Sequence, residues 1–200
     1  MTWRYVSSDA NRSVCNGLLR PFALRPEMQP VRLQTERLTF RMPNASDLTP
    51  YTSYCLSDRS GFVGGPFDSV QAFEKLAAMV GHWELRGFGR LIFIDRSTGR
   101  ALGHVGALHL NAGEVPEFTW TIWSGDDGGK GYATEACRAY LDHARNGLGL
   151  SAMIARIVQD NLPSRKLAER IGGVQKMNAL PPKWLANSVA YDFAMQTTET

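Results

Sequence analysis

Glycine recurs at 125, 128, 129 and 131 within Ser124-Gly-Asp-Asp-Gly-Gly-Lys-Gly-Tyr-Ala-Thr-Glu135, between a strand-like and a helix-like stretch. Glycine permits positive φ and lets the backbone approach a ligand closely. The free N–H groups and dipole of a following helix N-terminus favour an anion such as a pyrophosphate. A plain glycine-rich turn would look the same in isolation, so we compared the segment with two phosphate motifs. A P-loop ending at Gly129-Lys130 requires glycine at 124 and Ser or Thr at 131, where this chain has Ser124 and Gly131. A dinucleotide fingerprint opening at Gly129 requires Gly or Ala at 134 and meets Thr134. Both readings weaken.

Three further segments matter in combination with this loop. Glu117 opens an alternating run to Trp123, Asn161-Leu-Pro-Ser164 precedes a short helical pattern closed by Arg170-Ile-Gly172, and Leu33-Gln-Thr-Glu-Arg37-Leu38 leads into the first strand. Together with Gly129–Ala136 these four segments, in this order, resemble the GNAT superfamily of N-acetyltransferases, and most closely its RimJ/RimL-type branch. The resemblance spans about residues 31–195.

The resemblance implies an α/β fold: a twisted mixed β-sheet flanked by helices, with two central parallel strands splayed apart to admit acetyl-CoA. Those strands would be Glu117–Trp123 and Met153–Val158. Backbone groups of Ile122, Trp123 and Ser124 would pair with the pantetheine. The N–H groups of Gly129, Lys130, Gly131, Tyr132 and Ala133 would hold the pyrophosphate, with Thr134 in the same cofactor set. Asn161 and Ser164 would reach the pantetheine and its thiol. There are departures from the family pattern. Gly128 stands where the family loop has Arg or Gln, and Ala168 where many relatives carry a tyrosine acid. Asp126 and Asp127 would repel a pyrophosphate unless turned outward to solvent.

Acyl transfer to an amine requires the free base, although lysine-type amines have a pKa near ~10.4. A general base must therefore take a proton, and donors must stabilise the oxyanion. Glu117, at the start of the strand bordering the cleft, is the expected base; a solvated edge carboxylate is the alternative. Ser164 is the expected partner or acid for the thiol, with simple helix capping as its alternative. Asn161 caps the same helix in either case. The expected enzyme is an acetyl-CoA-dependent N-acetyltransferase acting by direct transfer, with a non-catalytic acyl-CoA-binding module as the alternative. The acceptor is an amine of a protein N-terminus or a small molecule, shaped by residues 57–68 and 177–184. A homodimer is compatible with this reading.

Other reactive side chains read as structural. His104 and His109 fall on opposite faces of one strand without metal-ligand spacing. Cys137 lies on the apolar stripe of its helix, and Trp83, Trp120 and Trp184 read as core. Arg165 and Lys166 could meet a 3′-phosphate or simply face solvent.

Period-2 alternation places strands over Arg37–Met42, Leu91–Asp95, Leu102–Leu110, Glu117–Trp123, Met153–Val158, Val174–Met177 and Val189–Met195. Helical spacing appears at 46–56, along Phe73, Leu76, Val80 and Trp83, over 133–144 and over 163–171. Ser46 and Asp47 offer caps for the first of these helices, and glycines at 61, 64 and 65 mark a loop. Residues 1–30, with prolines at 21, 26 and 30 and no sustained period, read as a poorly ordered extension before a domain spanning 31–200.

The gross numbers agree with one soluble domain. The 200 residues are 44% hydrophobic and 20% charged, with a net charge of +3. That charge is too small and dispersed for nucleic acid, and no apolar run would span a membrane. Three scattered cysteines fit a reducing, cytoplasmic setting rather than a disulfide framework.

Overall fold

The structure, a computed structural model, describes residues 31–194 except 112 and 178. The extension expected over residues 1–30 lies outside them. The elements are β1 (Leu33–Gln34), β2 (Leu38–Arg41), α1 (Leu48–Leu56), α2 (Ser69–Arg86), β3 (Arg90–Asp95), β4 (Ala101–Leu108), β5 (Glu117–Ile122), α3 (Tyr132–Asn146), β6 (Ala152–Val158), α4 (Leu162–Arg170), β7 (Val174–Gln175) and β8 (Ser188–Ala194). They build one eight-stranded sheet in the order β1-β2-β3-β4-β5-β6-β8-β7. Every neighbouring pair is antiparallel except β5 and β6.

Helices cover both faces. On one, α3 contributes Ala136, Cys137, Tyr140, Leu141 and Ala144, and α4 contributes Leu167 and Ala168, against Phe93, Val105, Phe118, Ala155 and Phe193 of the strands. On the other, Tyr51, Tyr54 and Cys55 of α1 and Ala72, Leu76 and Met79 of α2 pack on Ile92 and Trp123. The alternation of β5 explains the division: Phe118 faces α3, whereas Trp123 faces α1.

The helices begin and end where side chains satisfy their backbone. Asn44, rather than Ser46 or Asp47, caps the first turn: its Oδ1 accepts from Ser46 N–H at 2.8 Å. Asp47 answers by accepting from Asn44 N–H at 2.8 Å, and Arg41 holds the buried Asp47 carboxylate. Asp68 and Gln71 form a capping box for α2, and Gly87 ends it at φ 76°. The buried stripe of α2 differs from the expected one. It runs through Ala72, Leu76, Met79 and Trp83, while Phe73 and Val80 are exposed. Leu76 and Trp83 belong to both stripes; Ala72 and Met79 take the buried places expected of Phe73 and Val80 and pack with α1. The glycine-marked stretch also holds more order than expected, since Asp58–Val63 form a 3-10 helix.

Gly106 in β4 is structurally required. At its φ of 151° a Cβ would lie 2.6 Å from Gly89 O and 3.0 Å from the Tyr140 ring. That closeness lets the Tyr140 hydroxyl donate to Gly89 O and accept from Ala107 N–H, each at 3.0 Å. Burial pushes the phenol up to about 12, so it remains a donor. Tyr140→Phe strands both backbone groups inside the core, and we expect a loss of about 1–3 kcal/mol. Thermal melts should show a fall of roughly 2–4 °C per kcal/mol; an unchanged melt would mean that neither bond contributes.

Candidate functional site

The centre of the sheet opens along its one parallel junction. β5 and β6 share a single paired position, Glu117 opposite Ile154, with Ile154 N–H donating to Pro116 O at 3.0 Å. The strands on either side stay paired: β5 follows β4 from Glu117 to Ile122, and β6 follows β8 over its full length. The gap therefore lies between two intact half-sheets.

Strand alternation decides which backbone groups face it. Trp123 N–H donates to Leu102 O at 2.9 Å, so the odd-numbered residues of β5 bond toward β4. Phe118, Trp120 and Ile122 consequently turn their N–H and C=O groups toward β6. Of the expected set Ile122, Trp123 and Ser124, Ile122 presents its backbone to the gap, where its carbonyl accepts from Arg59 Nη2 at 3.2 Å, whereas Trp123 bonds to β4. Trp120, which the sequence reading placed in the core, offers the neighbouring N–H and C=O.

Beyond β5 the glycine loop turns into α3. Gly129 and Gly131 have φ of 74° and 82°, and Gly131 is the N-cap without a side-chain cap bond. Among the described residues, the N–H groups from Gly129 to Thr134 make no hydrogen bond. They form a run of open donors where anionic oxygens would be bound. Long-range contacts hold this turn. Arg37 donates through Nη1 to Lys130 O at 3.0 Å and through Nε to Glu135 Oε2 at 2.7 Å, and lies 4.6 Å from the Tyr132 ring centroid. Glu135 also accepts from Thr35 Oγ1 at 2.6 Å and Arg37 N–H at 3.0 Å. The Thr35-Glu-Arg37 segment is thus the clamp on the helix start, and it brings a cation to the loop where Gly128 lacks one.

The acidic pair does not behave as expected. Asp126 is exposed, but Asp127 turns inward and its side chain is 1% exposed. Arg100 donates to its two oxygens at 2.8 and 2.7 Å, and Lys130 Nζ lies 3.8 Å away. Hydrogen bonding from Arg100 holds this carboxyl below its usual range. It is a neutralised strut rather than a source of repulsion.

On the α1/α2 side of the gap lies a cleft of about 640 Å³, lined by Glu117, Asn161 and Ser164 together. Glu117 receives Arg156 Nη1 at 3.3 Å, and burial raises its carboxyl above 4.5 despite that cation. Asn161 Oδ1 caps α4 by accepting from Ser164 N–H at 3.2 Å, and among the described residues the Ser164 hydroxyl makes no hydrogen bond. Tyr51 and Tyr54 also line the cleft; burial raises both phenols, that of Tyr54 to about 12. His104 accepts at Nδ1 from Trp123 Nε1 at 3.0 Å, and burial holds it neutral. Phe62 and Phe67 from one expected acceptor segment and Trp184 from the other complete the walls. Trp184 is 67% exposed, so its place in the core is corrected to the cleft rim. Cys137 is buried under α3, and Ala168 is buried where a tyrosine acid would stand. Arg165 is held by Tyr191 and Gln159. Among the described residues no cluster could hold a metal ion, and no helix is long and apolar enough to cross a membrane.

The family model of the acetyltransferase (GNAT) domain matches residues 37–174, more than half of the chain. This chain belongs to the GNAT acetyltransferases. An acetyltransferase of Agrobacterium tumefaciens is 28% identical and superposes with a TM-score of 0.74, over 92% of this chain and 99% of that one. Two others share the fold at lower identity. Spermidine N-acetyltransferase of Vibrio cholerae, solved with CoA and spermine, gives 19% and 0.66 over 80% and 98%. A ribosomal-protein-S5-alanine acetyltransferase of Vibrio fischeri gives 14% and 0.64 over 85% and 100%. The GNAT sheet, with its parallel β5–β6 pair, is present as the sequence implied.

The sequence reading of this acetyltransferase missed Arg37, Arg59, Arg90, Arg100 and Trp120. All but Arg59 lie in or beside strands, and only Arg90 gave a local sign: it shares the register of Ile92 and Ile94 in an otherwise apolar strand. Asp127 supplies a test of the loop scaffold. Its folded pKa is depressed, so its contribution is complete above the unfolded value near ~3.9 and lost as pH falls through the folded value. Asp127→Asn should be less stable than the parent at pH 7 and converge on it in urea unfolding as the pH falls below the ordinary carboxylate range. Parallel curves at every pH would remove Asp127 from the scaffold.

Proposed function

We propose that this acetyltransferase passes the acetyl group of acetyl-CoA directly to a primary amine, of a protein N-terminus or a small molecule, within one ternary complex. The observation that carries this reading is the convergence of Glu117, Asn161 and Ser164 on one cleft beside the β5–β6 gap. CoA accompanies a neighbour of this fold, the spermidine enzyme. RimJ/RimL-type motifs and the likeness to a ribosomal-protein acetyltransferase favour that branch. On this reading residues 31–200 are the catalytic domain and 1–30 an extension to it.

Trp120 and Ile122 would pair with the pantetheine as an added strand, and the open N–H groups from Gly129 to Thr134 would bind the pyrophosphate. Glu117 takes the proton from the ammonium, either directly or through water. The amine lone pair then attacks the thioester carbonyl carbon; the C–S bond breaks, the second nitrogen proton passes to the CoA sulfur by way of the Ser164 hydroxyl, and CoA leaves as its thiol. Burial tunes Glu117 in the useful direction, because a raised carboxyl is a better proton acceptor.

Two measurements test this. Acetyl-CoA or CoA at about 100 times its Kd should stabilise the protein by roughly 2.7 kcal/mol in a thermal melt, while ATP and NAD do nothing; a flat response to CoA would sink the proposal. Glu117→Gln should lower kcat/KM about 10²- to 10⁴-fold. It should also erase the acid limb of the pH profile, where activity rises with pH through a pKa above 4.5. A variant that keeps that limb would show that another group is the base.

A further inference from the structure

Arg90 begins β3 and faces α1. Register places it opposite Gly106, which lies opposite Thr119, so the three form one row across the sheet. Its Nε donates to Thr119 Oγ1 at 2.8 Å. Among the described residues, neither of its Nη atoms makes a hydrogen bond or an ion pair. The residue is only half-exposed, and burial lowers its pKa. A guanidinium is nevertheless always protonated in a protein. Partly desolvated charges are ordinarily paired, because an unpaired one is costly.

The rest of the cleft offers no anion to complete it. Its charged lining is Lys75, Arg90, Arg156 and Glu117. Arg156 is already bonded to Glu117, and Lys75 Nζ sits 4.1 Å from the Phe67 ring centroid. His104 is neutral. Three cations thus face one carboxylate, a balance that repels a polycation and attracts an acid.

We infer that the acceptor carries a carboxylate close to its amine, and that the unpaired fork of Arg90 binds that carboxylate. The inference rests on the acetyltransferase reading above and narrows its acceptor. Thr119 fixes the fork through Nε and leaves both Nη donors free for two parallel bonds, the geometry that suits a carboxylate. The coenzyme's phosphates are not the natural partner. The open N–H groups that suit them lie past the far end of β5, whereas Arg90 stands two strands from the gap, on the α1 side. Thr119 and Glu117 lie two residues apart on the same face of β5, about 6.6 Å at the usual strand rise, so a carboxylate bound near Thr119 lies within a few bonds of an amine at Glu117. A free amino acid has those proportions.

The test is thiol release from acetyl-CoA with a panel of L-amino acids, each paired with its decarboxylated amine, and with spermidine. The parent enzyme should prefer the acid of a pair. Arg90→Gln should reduce that preference about 10- to 100-fold, chiefly through the KM of the acid, while the limb assigned to Glu117 stays in place. Arg90→Lys, which keeps the charge and removes the fork, should fall between the two and serves if the glutamine variant folds poorly. Preference for spermidine or for the plain amines, no turnover of any acid, or an equal fall in kcat for both members of each pair would each overturn the inference. Those results leave the acetyltransferase reading intact provided that acetyl-CoA still shifts the melt; no shift would overturn both.

Discussion

Everything that this protein does depends on two strands parting. β5 and β6 meet only at Glu117 and Ile154, while each remains fully paired on its outer side. The divergence is therefore not local disorder but a seam between two sound ladders. It exposes backbone hydrogen-bonding groups at the centre of a sheet, where they would otherwise be satisfied by a neighbour. It also fixes where the cleft begins, because the last shared position is the residue whose carboxylate lines it.

A second theme is how charge is placed. The glycine loop is surrounded by ionic side chains, yet nearly all are matched: Arg37 with Glu135, and Arg100 and Lys130 with Asp127. These pairs link β2 and the β3–β4 hairpin to the start of α3 across long stretches of sequence. They leave the backbone donors as the free electrostatic feature of the turn. Arg90 stands out against this economy. It lines the cleft with Tyr51, Tyr54 and Glu117, and among the described residues four of its five guanidinium donors are unassigned. Arg37 is exposed and exposed pairs contribute little to stability, so its pair with Glu135 is better understood as positioning, whereas the buried Asp127 also reinforces the loop.

Much of this was legible from residue types. Alternation along Glu117–Trp123 fixed which side chains face which layer, and the glycine loop and Asn161–Ser164 lie where their patterns implied. Two kinds of information were not legible. Pairwise contacts between distant segments, such as Arg37 with Glu135 or Arg100 with Asp127, leave no periodic trace, so Asp127 read as an isolated charge. Exposure of large apolar groups also depends on tertiary fit. Phe73 has ideal helical spacing yet is exposed, because Ala72 and Met79 take the buried side of α2 against α1. Trp184 follows two prolines in a segment without period, and only the assembled cleft reveals its position at the rim.

The seam has one more consequence. An unpaired strand edge is a template for other strands, and proteins usually hide theirs at the periphery with charges, bulges or covering elements. Here the edges of β5 and β6 are internal, and Arg59 from the 3-10 turn already occupies one carbonyl of that edge, like a placeholder for an absent strand. The sheet is thus geometrically incomplete by itself, and a ligand that pairs with Trp120 and Ile122 would finish it. The unpaired seam is therefore a place inside the sheet, rather than at its periphery, where an added strand would find open partners.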